Sequence, residues 1–120
     1  MKLTKYEINR IESKCEPLIG KFKSQYILKN PEKNYNYLVD IYLKQYRNYL
    51  YLCGKYKTEK PNRIENEFEE MFVRLKIIQK DSFDISYMRH TGKWFLIANG
   101  LTFDECLEMI EGTPTLHPIG

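Results

Sequence analysis

Residues 71–97 read MFVRLKIIQKDSFDISYMRHTGKWFLI, and this stretch predicts three consecutive β-strands. Apolar side chains occupy alternate positions in residues 71–79 and again in residues 83–89, which is typical of strands that bury one face. Residues 93–97 supply a third run that is rich in apolar side chains. Two short connectors separate the runs, and Gly92 in the second can adopt the positive φ of a tight hairpin. The stretch therefore predicts a β-meander.

A second hairpin is predicted before the meander. Residues 37–44 alternate well, and a turn at residues 46–48 leads into a second run, residues 49–56. Gly54 interrupts this second run, which indicates a bulge or a close approach of neighbouring groups to the backbone. The alternation in the first run places four side chains on one face, namely Tyr37, Val39, Ile41 and Leu43.

One helix is predicted at each end of the sheet. Residues 4–7 form a capping box that begins the first helix, and an apolar stripe continues to Phe22. Pro17 lies inside this stripe and would kink or end the helix, because proline removes a backbone donor. A similar box in residues 102–105 begins the second helix, and Gly112 is a suitable residue to end it.

The predicted order of elements is α-β-β-β-β-β-α. Consecutive strands with hairpin-length connections favour an antiparallel five-strand meander, and helices at both ends of the chain favour their packing on the sheet. We therefore expect an α+β two-layer sandwich. The length of 120 residues and the absence of a Gly/Ser-rich linker predict a single domain over residues 1–120.

The composition excludes several classes of protein. An apolar content of 42% is ordinary for a globular protein and argues against general disorder. The sequence has no apolar run of about 18 residues, so we expect no membrane-spanning helix and no membrane partner. Its first ten residues lack the apolar segment of a secretory signal. Three cysteines without a CxxC pair predict reduced thiols and a cytoplasmic location.

The charge is unevenly divided along the chain. Residues 1–60 have a net charge of +7 and residues 61–120 a net charge of −4, within a total of +3. Such asymmetry can mark a binding surface for a polyanion or an acidic partner. The simpler interpretation, which we prefer, is that the two halves intermix in the fold and give a mixed surface.

Several short motifs resemble those of one protein family. They are the strand FDISYMR at residues 83–89, Gly-Lys-Trp at residues 92–94, the helix of residues 102–111, Thr-Pro at residues 113–114 and Ile-Gly at residues 119–120. In this order they resemble a family of small bacterial proteins known as domain of unknown function 3024. The resemblance implies a helix, a hairpin, a meander and a second helix, and it implies no activity.

Tyrosine and basic residues interleave through residues 35–57. Aromatic rings that stack on bases and cations that neutralise phosphates are what a sheet surface for single-stranded nucleic acid needs. Half-buried tyrosines among solubilising lysines explain the same pattern, and an AT-rich genome would enrich both residue types without selection. If the pattern is functional, alternation on the strands gives a candidate binding surface of Tyr42, Lys44, Tyr46, Arg47, Arg74 and Lys76.

Self-association is the second hypothesis. A sheet that is covered by helices on one face leaves its other face open. If Tyr42, Tyr46, Phe72 and Ile78 line that face, it is apolar enough to need a partner, and a homodimer is the commonest solution. A monomer whose aromatic face is shielded by the tail, a loop or long lysine stems is the alternative.

Catalysis has little support in the sequence. His90 falls at a predicted hairpin tip and His117 in the tail, and neither is near a cysteine in sequence. No metal-ligand motif or Gly-rich phosphate loop occurs, so we expect no metal and no cofactor. Trp94 is more often a packing anchor than a ligand-stacking ring, and its replacement by alanine would cost a few kcal/mol if it is buried.

The sequence thus predicts a bacterial, non-enzymatic domain that binds a protein partner or itself. The alternative is a nucleic-acid-binding protein that uses the tyrosine-rich first hairpin, residues 35–57.

Overall fold

The computed structural model describes residues 3–29, 36–58 and 66–118. The predicted loops around residues 30–35 and 59–65 lie outside the described residues, as do residues 119–120. The elements in chain order are helix α1 (Lys5–Tyr26), strands β1 (Tyr37–Tyr46), β2 (Tyr49–Lys57), β3 (Glu67–Gln79), β4 (Ser82–Met88) and β5 (Trp94–Leu101), helix α2 (Phe103–Gly112) and a 3-10 turn (Pro114–Leu116).

The five strands form one antiparallel sheet in the order β1-β2-β3-β4-β5, so every strand lies beside its neighbours in sequence. The α+β class and the predicted element order are confirmed. One face of the sheet packs on both helices, and buried apolar side chains from all of these elements form a single core. The helices leave the opposite face open. We call this opposite face the open face.

Helix α1 continues past Pro17 to Tyr26, so the proline does not end it. The helix begins at the predicted capping box, in which the Thr4 hydroxyl accepts from the Glu7 amide and the Glu7 carboxylate accepts from the Thr4 amide. Phe22 lies beyond the proline and is buried in the core. Burial of this apolar turn stabilises helical structure that local propensity alone would not.

Two bulges alter which side chains face the helices. A register shift between Leu38 and Asp40 puts Leu38 in the core, so the predicted alternation of β1 holds only from Ile41 onwards. A second shift, in the pairing of β2 with β3, leaves Phe72 without a cross-strand partner, and its ring packs 6.4 Å from that of Phe22. The prediction that Phe72 lines the open face is therefore wrong, because a bulge inserts one extra residue into the alternation.

Gly54 marks a close approach rather than a break in the strand. A Cβ atom at this position would lie 3.0 Å from Leu38 Cδ1 and 3.0 Å from Tyr56 Cε2. Only glycine leaves room for these two buried side chains. Of the two alternatives predicted for Gly54, a bulge or a close approach, the close approach is confirmed.

The tail docks on the core through His117. Its Nε2–H donates to the carbonyl oxygens of Ile110 (2.8 Å) and Glu111 (3.0 Å), which can only accept. Nδ1 therefore accepts from the Tyr26 hydroxyl at 2.6 Å. The ring also packs against Phe22, with centroids 4.7 Å apart. His117 thus joins α1 to the end of α2.

The charge asymmetry of the sequence is largely neutralised within the fold. Lysines of the first half pair with carboxylates of the second half in five of the ion pairs formed by the described residues: Lys14–Asp104, Lys21–Glu111, Lys44–Glu69, Lys55–Glu67 and Lys57–Glu67. These contacts support our preferred interpretation, that the two halves intermix.

Asp81 links the β3–β4 turn to α2, and its replacement tests that link. Its φ of 53° lies in the left-handed region, and its Oδ1 accepts from the Phe103 amide at 2.9 Å. We expect Asp81→Ala to lower the free energy of unfolding by about 1.5–3 kcal/mol, because alanine loses the hydrogen bond and is strained at this φ. Asp81→Asn keeps a hydrogen-bond acceptor and tolerates the left-handed region, so it should lower the free energy of unfolding by less than about 1 kcal/mol. If urea unfolding shows that the two variants lose the same free energy of unfolding, the link between Asp81 and α2 is contradicted.

The thiols of Cys15, Cys53 and Cys106 are free and buried, and burial raises the pKa of each to about 12. We expect the native protein to resist a thiol reagent at pH 8, whereas all three thiols react after unfolding. The unfolded thiols release protons above about pH 9 while the native ones retain them. Stability is therefore full below that pH and falls as the pH rises towards 12. Rapid labelling of the folded chain at pH 8 would refute the prediction that folding protects the thiols.

Candidate functional site

The strand register arranges the open face in cross-strand rows. One row contains Lys44, Tyr51, Arg74 and Ser86, which are opposite one another on β1 to β4. The adjacent row contains Tyr46, Tyr49, Lys76 and Asp84. The structure thus brings four of the predicted site residues into two neighbouring rows. It also adds two tyrosines of β2 between them.

Arg74 lies at the centre of this surface. Its guanidinium carbon is 4.9 Å from the ring centroid of Tyr49 and 5.0 Å from that of Trp94. The Nε atom is buried and has no hydrogen-bond partner, and within the described ranges Arg74 makes no ion pair. Aromatic faces attract a cation but do not neutralise its charge. The guanidinium therefore remains able to bind an anionic or hydrogen-bonding ligand.

Tyr51 completes an aromatic surface around this arginine. Its ring centroid is 5.9 Å from that of Tyr49 and 6.0 Å from that of Trp94. We call Tyr49, Tyr51, Arg74 and Trp94 the aromatic–arginine cluster. Burial by these neighbours raises the pKa of Tyr51, so its hydroxyl stays protonated at neutral pH. Trp94 is half-buried and belongs to this cluster rather than to the core, so it is a cross-strand packing residue.

The tip of the first hairpin extends the surface beyond the cluster. Arg47 has a φ of 55° in the turn, and its guanidinium carbon lies 5.3 Å from the ring centroid of Tyr46. The Tyr46 side chain is 56% exposed, and Lys76, which follows Tyr49 in the same cross-strand row, is exposed as well. A long side chain at positive φ carries conformational strain of the kind that is concentrated at functional positions.

The opposite end of the open face is neutralised by acidic residues. Glu69 accepts a hydrogen bond from Tyr42 and pairs with Lys44 at 3.2 Å. The hydrogen bond from Tyr42, together with Lys44, holds the pKa of Glu69 below its usual value, whereas burial and Glu69 raise the pKa of Tyr42. Glu67 likewise pairs with Lys55 at 3.0 Å. Tyr42 and Lys44 are thus bound to a carboxylate. The predicted binding surface is therefore divided into this neutralised part and the part around Arg74.

Sequence reasoning missed three members of the cluster. Tyr49 and Tyr51 lie in the interleaved stretch, and the hairpin register around residues 46–48 would have placed them beside Tyr46 and Lys44. Trp94 could not be placed from local sequence, because its contact with Tyr51 spans two intervening strands. Ser86, a small residue opposite Arg74 on β4, is buried on this part of the sheet.

Other types of site have no support among the described residues. No cluster of three or more histidine, cysteine or acidic side chains able to hold a metal occurs there. His90 is exposed in the β4–β5 turn, as predicted, and His117 is occupied by its contacts with α1 and α2. None of the described helices has the length and apolarity that a membrane crossing requires.

These features define a class of small α+β domain in which two helices cover one face of an antiparallel sheet and the other face carries aromatic and basic side chains. The chain belongs to the family described as Domain of unknown function (DUF3024), whose model matches residues 3–117. The resemblance found in the sequence motifs is thereby confirmed. Comparison with curated proteins gave no match, and comparison with solved structures gave none either.

Proposed function

We propose that this domain binds single-stranded nucleic acid on the open face of its sheet. The observation that carries the proposal is the position of Arg74, a half-buried cation between two aromatic rings with no carboxylate partner in the described chain. A phosphate or a base edge bound at the outer end of the guanidinium would balance the charge of Arg74. The domain in this proposal is a binding module and not an enzyme.

The aromatic rings supply the second requirement. Bases stack on exposed tyrosine and tryptophan faces with little dependence on sequence, and each such contact contributes about 1–3 kcal/mol. Tyr51 and Trp94 are half-buried on the sheet beside Arg74, and Tyr46 is more exposed near the hairpin tip. A strand of nucleic acid that crosses these rings would have its phosphates close to Arg47 and Lys76.

The acidic end of the open face limits where the strand can lie. Glu67 and Glu69 would repel phosphates, and their lysine partners are already neutralised. The site is therefore confined to the cluster and the hairpin tip. Arg47, Arg74 and Lys76 form no ion pair with a residue that the structure describes. If each binds one phosphate, log Kd changes with log salt with a slope of about 2, at roughly 0.7 per phosphate contact on single strands.

The test is binding of labelled oligo(U) and oligo(dT) by fluorescence anisotropy at low and near-physiological salt. Trp94 is the one tryptophan of the chain, so quenching of its fluorescence reports stacking at the cluster itself. Arg74→Ala should weaken binding and reduce the salt slope by about 0.7, the value for one phosphate contact on a single strand. Arg89→Ala is the matched control, because Arg89 also lies over a ring, that of Phe95 at 4.7 Å, but at the opposite face. Absence of binding at low salt would overturn the proposal.

Arg47 provides a prediction in which stability and binding change in opposite directions. We expect Arg47→Asn to raise the free energy of unfolding by up to about 1 kcal/mol, because asparagine tolerates the φ of 55° better. The same change should weaken oligonucleotide binding several-fold, because one phosphate-binding cation is lost. Urea unfolding and anisotropy on one preparation measure both effects. A variant that is more stable and binds equally well would exclude Arg47 from the site.

Self-association through β5 is the second candidate. This edge strand bears no charged residue and exposes three apolar side chains: Phe95 (45%), Leu96 (49%) and Ile97 (36%). Both edge strands have irregular pairing with their neighbours, but the other one, β1, carries Asp40 paired with Lys23 and Lys44 paired with Glu69. Uncharged edge strands with unpaired backbone groups promote pairing between chains. In this alternative, β5 of two copies would pair in a homodimer.

Light scattering over a range of concentrations distinguishes the second candidate from a monomer. Leu96→Lys should dissociate such a dimer, whereas Ile78→Lys, at an exposed position on the central strand β3, should leave it intact. A monomeric mass at all concentrations would remove this candidate and leave the first untouched. With three free thiols supporting a reducing compartment, we further propose that the protein acts in the bacterial cytoplasm.

A further inference from the structure

A pocket of about 230 Å³ lies between the start of α1, the β3–β4 turn and the start of α2. It is formed on the helix side of the sheet, away from the aromatic–arginine cluster. Its inner surface consists of the buried apolar side chains of Leu3, Ile11, Phe83 and Phe103. The volume is below the roughly 300–1,000 Å³ of pockets for drug-sized ligands, so only a smaller molecule would fit.

Two carboxylates around this pocket accept hydrogen bonds from backbone amides. Glu7 accepts from the Thr4 amide at 3.1 Å, and Asp81 accepts from the Phe103 amide at 2.9 Å. Contact with Thr4 holds the pKa of Glu7 below its usual value, so this group stays ionised as part of the helix cap. Both carboxylates therefore bind amides at helix termini, and the nearby charge of Lys80 also lowers the pKa of Glu7.

Two cations of the pocket form no ion pair with a described residue, and one of them, Lys80, acts on Glu7 only through its nearby charge. Lys14 pairs with Asp104 at 3.2 Å, but Arg10 and Lys80 form no ion pair with any described residue. Arg10 projects from α1 and Lys80 from the β3–β4 turn, so the two charges come from different elements that meet at the pocket. The pocket thus combines an apolar interior with unpaired positive charge.

We infer that this pocket binds a small organic anion, with a short alkyl or aryl body on the apolar interior and one carboxylate group at Arg10 and Lys80. Burial of the body removes apolar surface from water, and the carboxylate forms charge-assisted hydrogen bonds with the two cations. A cationic amphiphile of the same size would place its charge against the same two cations. This inference does not depend on nucleic-acid binding, because the open face contributes no residue to the pocket.

Nuclear magnetic resonance titration of the full chain with octanoate tests the inference. The expected result is saturable shifts of the Ile11, Phe83 and Phe103 amides, with octylammonium at least about tenfold weaker and acetate without effect. Arg10→Gln with Lys80→Gln removes both charged hydrogen bonds and should weaken octanoate by at least about tenfold, the effect expected for losing even one of them. The matched control, Arg89→Gln with Lys93→Gln, removes two cations that lie outside the pocket and outside the proposed nucleic-acid site, and it should bind octanoate like the parent.

Three results would overturn the inference: equal shifts with octylammonium, unchanged affinity in the Arg10/Lys80 variant, or no saturable shift with octanoate. The fluorescence of Trp94 should stay constant throughout, because the tryptophan is not part of this pocket. A negative titration therefore leaves the nucleic-acid proposal unaffected, and the reverse is also true.

Discussion

Phe22→Ala is expected to lower the free energy of unfolding by about 3–5 kcal/mol, the usual cost of truncating a buried aromatic residue. The side chain is 1% exposed and its ring contacts those of Tyr26, Phe72 and His117. These partners come from α1, β3 and the tail, so the cavity would open where three parts of the chain meet. Urea unfolding at neutral pH measures the loss.

Phe95→Ala is the matched control for this change. Phe95 is 45% exposed on the edge strand, so the same truncation should cost about 1 kcal/mol or less. Since most single domains are stable by only about 5–15 kcal/mol, Phe22→Ala should also lower the melting temperature strongly. Similar losses for the two variants would mean that Phe22 is not at the centre of the core.

Trp94→Ala is expected to weaken binding to single-stranded oligonucleotides by about 1–3 kcal/mol, or roughly 5- to 150-fold, through the loss of one stacking contact. Because Trp94 is half-buried on the open face, the same change should lower the free energy of unfolding by only about 1 kcal/mol. Anisotropy of a labelled oligonucleotide measures affinity without the tryptophan signal. Trp94→Phe retains a stacking ring and should recover part of the affinity.

Phe95→Ala again provides the comparison, because it removes a neighbouring ring that contacts Tyr87 and Arg89 rather than Arg74. We expect it to leave affinity within about twofold of the parent. If both variants bind as tightly as the parent, bases do not stack on this strand. If both lose affinity equally, the effect comes from damage to β5 and not from the cluster.

The fold was predictable because its signals are local. Alternation in β3 and β4, the capping boxes of Thr4 and Thr102, and the turn residues all act within a few positions of the chain. The errors occur where long-range packing overrides local pattern. Phe72 left its predicted face because of a bulge, and burial of Phe22 carried α1 past Pro17.

The candidate site was predictable only in part, for a related reason. Residue type and alternation placed Arg74 and Lys76 beside the tyrosine-rich hairpin, since strand register follows from short turns. Residue type and alternation do not predict that Glu69 binds Lys44, or that Trp94 approaches Arg74 across β4. Such contacts depend on side-chain reach between non-adjacent strands.

The contact between Tyr26 and His117 has a consequence for synthesis of the protein, because 91 positions separate the two residues. At about 5–20 residues per second, a ribosome needs roughly 5–18 s to add that length of chain. The sheet residues that pack on α1, such as Phe72, are made earlier, so most of the apolar stripe can be covered before the tail appears. The contacts of His117 with Phe22 and Tyr26 form only after this interval, so the final closure of the core at this end of α1 awaits the last residues of the described chain.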